Sequence, residues 1–130
     1  MSDRSESGSN QDLSNPQEAA RFDKGKLRME LVPSVAMEAL AAIFGNGADK
    51  YGDFNWQKGL PWLQPYASCM RHLLAWWEGE DLDQESGQPH IYHAMANLVM
   101  IAEYMKKGKG RDNRLYLKER EWLREKEKRS

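Results

Sequence analysis

The sequence predicts an all-α protein, a small helical bundle of three core helices with one further helix appended. Three observations predict it. Apolar residues recur at helical spacing in three segments between Ser34 and Lys107. Gly, Pro and acidic turn formers separate those segments. No stretch alternates apolar and polar residues beyond a few positions, and no internal repeat is present. At 130 residues the chain fits one domain.

Residues 1–22 are rich in Ser, Asn, Gln and Asp. They hold too little apolar surface to offset ordering entropy, which predicts a disordered tail. Asp23 to Val32 reads as a basic, Gly-containing loop leading into an extended piece, and Pro33 biases Val32 away from helix. Ser34 suits the N-cap of a first helix running to about Lys50. Its apolar set is Ala36, Met37, Leu40, Ile43 and Phe44. A second stripe, Glu38, Ala42, Gly45 and Asp49, places small residues between two carboxylates. Tyr51 to Leu63 is a loop of turn formers.

A second helix is expected from Pro65 to about Glu78. It is apolar almost all round, which predicts burial. Ser68, His72, Ala75 and Gly79 form its polar or small stripe. Gly79 to Pro89 is an acidic turn. A third helix runs from His90 to about Lys107, with the polar stripe His90, His93, Asn97 and Tyr104 further along, and Gly108 and Gly110 stop it. Asp112 or Asn113 is expected to cap a fourth, charged helix whose apolar face (Leu115, Tyr116, Leu117, Trp122, Leu123) is thin. The second and third helices need more cover than that face supplies. The bundle is therefore expected to complete itself by homo-oligomerisation, as a homodimer or homotetramer.

Net charge is -1, which disfavours a chain that binds nucleic acid through bulk charge. The charge is unevenly spread. Residues 23–104 hold six basic and eleven acidic groups, whereas residues 105–130 hold eleven basic and five acidic. No apolar run approaches the ~20 residues of a membrane span, and Met1 to Asp12 is too polar for a signal peptide. A single Cys, Cys69, excludes an internal disulfide framework. Together these point to a cytoplasmic setting.

Several residue sets suit chemistry. Glu78, Glu80, Asp81, Asp83 and Glu85 crowd one turn without a basic group, and His90, His93 and Asn97 follow on one helix face. Divalent cations such as Mg²⁺ take oxygen ligands, and Mn²⁺ also accepts imidazole. The same run also reads as a solvated loop. Cys69-x-x-His72 with His90-x-x-His93 has the spacing of a tetrahedral zinc site, an alternative that would make a zinc-dependent hydrolase. Lys24, Lys26, Arg28, Lys50, Lys58 and Arg71 are candidates for holding phosphates. Asn55-Trp56 offers an amide and an aromatic face to a base, although a loop Trp equally closes a core. There is no phosphate-binding P-loop and no His-Asp dipeptide. A helical interaction protein without catalytic activity, contacting partners through the acidic turn and the basic C-terminal helix, is the rival reading.

The strings DKGKLRMELVP, GADKYGDFNW, KGLPW and RHLLAWWEGEDLDQESGQPHIYHAMANL resemble the phage-type dATP/dGTP diphosphohydrolase domain, related to the MazG-like all-α nucleoside triphosphate pyrophosphatases. The resemblance spans about Asp23 to Tyr104 and makes residues 23–107 a MazG-like catalytic domain, with residues 108–130 a charged C-terminal helix. It implies cleavage of a purine deoxynucleoside triphosphate to the monophosphate and pyrophosphate. For the MazZ-type branch, from phages that replace adenine with 2-aminoadenine, it implies dGTP as the preferred substrate, with dATP second. It implies two or three Mg²⁺ or Mn²⁺ ions. MazG-like proteins usually bind them through ExxE and ExxD helices, a pattern this chain lacks. Glu80-x-x-Asp83 keeps the acidic spacing in a turn, and His93 and Asn97 stand where the second acidic pair would sit. The residues expected at the metal site are thus Glu80, Asp83, His93, Asn97 and His90, with Glu80, Asp83 and Glu38 catalytic. Lys26, Lys50 and Arg71 are expected at the phosphates, and Asn55 and Trp56 at the base or sugar.

Overall fold

The computed structural model describes residues 17–129. The tail expected over residues 1–22 thus falls, up to residue 16, outside the described residues. Two compact units divide the chain, Met1–Ser34 and Val35–Ser130. In the first, Lys26 N–H donates to the Asp23 carbonyl at 3.0 Å across a turn that Gly25 makes at a φ of +84°. Arg28 Nε donates to Glu30 Oε2 at 3.0 Å, and Met29–Leu31 forms a single 3-10 turn.

The second unit is helical, as expected. Helix α1 spans Ser34–Tyr51, α2 Leu63–Trp77, α3 His90–Lys107 and α4 Leu117–Arg129, with a 3-10 turn at Asn55–Lys58. Among the described residues there is no strand, only two isolated bridges. No helix of the described residues is long and apolar enough to cross a membrane.

Helices α2 and α3 pack as an antiparallel pair: Ser68 meets Asn97, Cys69 meets Ala94, and His72 meets His90. Small side chains permit the close approach, with Cys69, Ala94 and Ala96 all buried. Further along α3, Tyr104 is fully buried and its hydroxyl donates to the Trp56 carbonyl at 2.6 Å. Trp56 in turn stacks on Phe44 of α1 with centroids 4.9 Å apart. This chain of contacts ties the 3-10 turn to α1 and α3.

The structure departs from expectation at the ends and surface of α2. The helix begins at Leu63, two residues before Pro65, because a proline is tolerated within the first turn. Asn113 does not cap α4. Its Oδ1 accepts the Leu63 N–H at 3.0 Å, so it serves the start of α2, and α4 begins only at Leu117. The long-range contact arises because the segment after α3 runs back beside the segment before α2. Trp62 N–H donates to the Arg111 carbonyl at 2.9 Å and Trp62 Nε1 to the Lys109 carbonyl at 2.9 Å. Gly59 and Gly110 make this approach feasible. Both have positive φ, and a Cβ on Gly110 would fall on the Leu60 carbonyl oxygen.

Helix α2 is also far less buried in one chain than its composition predicts. Met70, Leu73, Leu74 and Trp77 are exposed, because among the described residues α3 is the only helix packed on it.

Candidate functional site

The turn between α2 and α3 is built by short-range backbone chemistry. Helix α2 ends in a Schellman motif. Gly79 takes φ +102°, Gly79 N–H donates to the Trp76 carbonyl and Glu80 N–H to the Ala75 carbonyl, each at 3.0 Å. Asp81 then supplies its carbonyl to the first N–H of α3, on His90, at 2.9 Å. Between them Asp83 closes a tight loop: its N–H donates to Gln88, its carbonyl accepts from Gly87, and its Oδ2 accepts the Ser86 N–H at 2.9 Å. The acidic stretch is therefore an ordered loop folded against the two polar helix stripes.

Three imidazoles meet there. His72 Nδ1 and His90 Nδ1 are 2.8 Å apart. His72 and His93 stack face to face with centroids 4.3 Å apart and planes 6° from parallel. Glu80 Oε1 lies 2.6 Å from His90 Nε2. His93 Nε2 is 2.7 Å from the Ser86 hydroxyl and 3.7 Å from Asp83 Oδ2. One ligand atom from each of His72, Asp83 and His90 lies within 4.8 Å of the others. Asn97, buried, donates from Nδ2 to Ser68 Oγ and to the His93 carbonyl, fastening α3 to α2 beneath the cluster.

The protonation states suit cation binding. Burial, then the neighbouring His93, holds His72 below the usual imidazole range. Burial likewise lowers His93. Burial acts against the Asp83 carboxylate. The Ser86 hydrogen bonds and the imidazoles of His93 and His72 outweigh it and bring Asp83 below its ordinary value. Neutral imidazoles beside an ionised carboxylate are the state in which these groups ligate a metal. Two imidazoles and a carboxylate suit Mn²⁺ better than the all-oxygen preference of Mg²⁺.

The sequence-predicted residues are thus partly gathered. Asp83, His90, His93 and Glu80 come together, but Glu80 reaches the cluster through His90. Asn97 lies below the cluster, its Nδ2 bonded to Ser68 and to the His93 carbonyl. Lys50 is brought to the loop, where its Nζ lies 2.8 Å from Glu85 Oε1. Arg71 is exposed one residue from His72. Lys26 belongs to the first unit. Glu38 is exposed on α1 and is not brought into the cluster. Cys69 also stands apart: its thiol donates to the Ala94 carbonyl at 3.7 Å, so the four-ligand zinc set is not assembled. His72, by contrast, stands at the centre. Ser86 was missed, and its signal was the Asp-x-x-Ser spacing of a side-chain-closed turn.

A second feature lies at the other end of the α3 stripe. A cavity of about 390 Å³ opens between α1, the Asn55–Lys58 turn, the start of α2 and Met100. Asn55 and Trp56 line it, but Trp56 has one face on Phe44 and its ring beside Tyr104, so it is a wall of the cavity.

Residues 16–114 match the family described as dATP/dGTP diphosphohydrolase, N-terminal. The chain belongs to that family. The match takes in α1 to α3, and with them the imidazole cluster and the cavity. The chain is also 35% identical over 81 residues to a protein of Salmonella phage PMBT28 named dATP/dGTP diphosphohydrolase, a stretch covering 62% of this chain and 28% of that relative. The chain thus spans well under half the length of the relative it matches. No solved structure matches it.

Proposed function

We propose that the chain is a metal-dependent purine deoxynucleoside triphosphate diphosphohydrolase, with the reaction at the cluster between α2 and α3. The observation that supports this most is the convergence of His72, His90 and Asp83 ligand atoms within 4.8 Å, inside the span matched by the family. His72, His90 and Asp83 would hold a divalent cation, Mn²⁺ or Mg²⁺. When bound, such a cation supplies charge neutralisation at the phosphates and acidifies a coordinated water.

The protein's own groups fit the remaining tasks. Glu80 orients His90 through Nε2, leaving Nδ1 for ligation. Lys50 and Arg71, beside the cluster, meet the β and γ phosphates. A water oxygen adds to the α-phosphorus, the bond from that phosphorus to the bridging oxygen breaks, and pyrophosphate leaves. Neutral His93, 3.7 Å from Asp83, takes up the proton the water gives up. The resemblance of the Arg71–Leu98 string supports dGTP as the preferred substrate and dATP as the second, with the dGMP passing to 2-aminoadenine nucleotide synthesis. The exposed apolar face of α2 supports assembly with a second copy.

Chromatography of products from each dNTP and NTP, with Mn²⁺ or Mg²⁺ and a chelator control, tests this. Conversion of dGTP to dGMP and pyrophosphate is expected. Release of single phosphates, or no turnover by folded protein with either metal, overturns the reading.

A further inference from the structure

We propose that the cavity over Met100 is the purine subsite, with the rings of Tyr51 and Phe54 against the base and the amides of Asn55 and Gln64 at its edge. The inference rests on the diphosphohydrolase reading and adds where the base lies and which side chains select it.

The cavity, at about 390 Å³, is within the ~300–1,000 Å³ range of small-molecule sites. Its wall is mostly aromatic and aliphatic, as a flat heterocycle requires. Tyr51 and Phe54 each keep 70% of their surface exposed, so both rings have faces to give. Among the described residues neither the Asn55 nor the Gln64 side chain has a hydrogen-bond partner, and both line the cavity. An amide carries an acceptor oxygen and two donor hydrogens. Two unengaged amides that can turn end for end suit either the amino group of adenine or the carbonyl and amino groups of guanine.

Phe54 supplies an independent observation. It is the one non-glycine residue with positive φ among the described residues, at +57°. A left-handed backbone is unfavourable for a residue with a Cβ, and such strain collects at functional positions. Here the strained residue is mostly exposed and lines the cavity. It holds an aromatic ring open at the cavity mouth.

The register of α3 joins the cavity to the cluster. His93, Asn97 and Met100 follow at helical spacing along one stripe. His93 and Met100 are seven residues apart, or roughly 10 Å at ~1.5 Å per residue. A nucleotide with its base over Met100 and its α-phosphate beside His93 spans that distance in an extended form, passing outside the buried Asn97–Ser68 contact.

Calorimetry tests this with two probes in the presence of Mn²⁺: the non-hydrolysable α,β-methylene analogue of dGTP, and tripolyphosphate, which has no base. Phe54→Gly removes the ring and relieves the backbone. It is expected to leave the thermal midpoint unchanged or higher, weaken the dGTP analogue about tenfold, and leave tripolyphosphate binding as in the wild type. Gln64→Ala and Asn55→Ala should show the same selective loss, and Phe54→Tyr should bind the analogue like the wild type. Equal analogue binding in all variants overturns the subsite, as does an equal loss for both probes. Wild-type protein that binds tripolyphosphate as tightly as the analogue overturns it too, while leaving the phosphohydrolase reading standing. Wild-type protein that binds neither probe and turns over no nucleotide removes that reading itself, and the subsite with it.

Discussion

Glu80 Oε1 lies 2.6 Å from Nε2 of His90, a nearly fully buried imidazole, while the other nitrogen of that ring faces His72. A carboxylate on one ring nitrogen fixes the tautomer and the orientation of the ring. In the proposed cation site Glu80 would therefore be a positioning residue, one step removed from the ion. Outer partners of this kind are worth about 10–100-fold in metal affinity. Glu80→Gln keeps an acceptor oxygen but removes the charge, and should weaken Mn²⁺ about tenfold by calorimetry. Glu80→Ala should lose more. Wild-type affinity in both variants would show that His90 needs no such partner.

Cys69 tests the choice between metal sets. Its thiol is buried against α3, and burial pushes its pKa above the usual thiol value. The folded state thus favours the protonated thiol. The associated stability is fully present below the unfolded-state pKa and is lost as pH rises through the folded one. Native protein should react with a thiol reagent far more slowly than urea-unfolded protein at pH 8, and the gap should narrow above that. Cys69→Ala should leave Mn²⁺ affinity within about twofold of wild type, because the sulfur is not part of the cluster. A large loss of metal affinity in Cys69→Ala would restore the cysteine to the site.

The helical stripes were legible because they depend on spacing alone. Ser68 with His72, and His90 with His93 and Asn97, each mark one face of an apolar helix, and those two faces meet. The bounds of α3 were equally plain, since Pro89 and Gly108 bracket it. What spacing did not reveal depends on residues far apart in the chain. Asn113 looks like a local cap but serves Leu63, fifty positions earlier. Asn97 stands at a ligand position, and spacing does not show that its Nδ2 reaches across to Ser68 on α2 as well as to its own helix. Glu80 and Asp83 share the acidic spacing of a metal-binding pair, yet the Schellman turn at Gly79 sends them to different partners.

The contact between the segments at Gly59–Trp62 and Lys109–Arg111 sets where α2 begins. Gly110 has φ +72°, and a Cβ there would meet the Leu60 carbonyl oxygen. Gly110→Ala combines a left-handed backbone with a backbone clash, and should cost about 2 kcal/mol or more. Asn113→Ala removes only the acceptor for Leu63 N–H and should cost about 1 kcal/mol. Urea unfolding measures both. A larger loss in Asn113→Ala than in Gly110→Ala would mean that the cap, and not the close approach, governs this end of the helix.

Met70, Leu73, Leu74 and Trp77 recur at helical spacing on α2, and all four are more than two-fifths exposed. Exposed apolar patches of this continuity mark interaction surfaces in soluble proteins. The face does not belong to the imidazole stripe, which uses Ser68 and His72, so an assembly through it leaves the cluster intact. Self-association places the same helix from each copy at the contact, and identical apolar stripes are complementary under a two-fold axis. Leu74→Glu puts one charge per copy into that contact and brings like charges together. Sedimentation equilibrium should find the wild type as a dimer or tetramer and Leu74→Glu shifted at least tenfold towards monomer. Mn²⁺ affinity per chain should be unchanged. A wild type that stays monomeric up to its solubility limit would exclude assembly through this face and leave the stripe to a partner of a different kind.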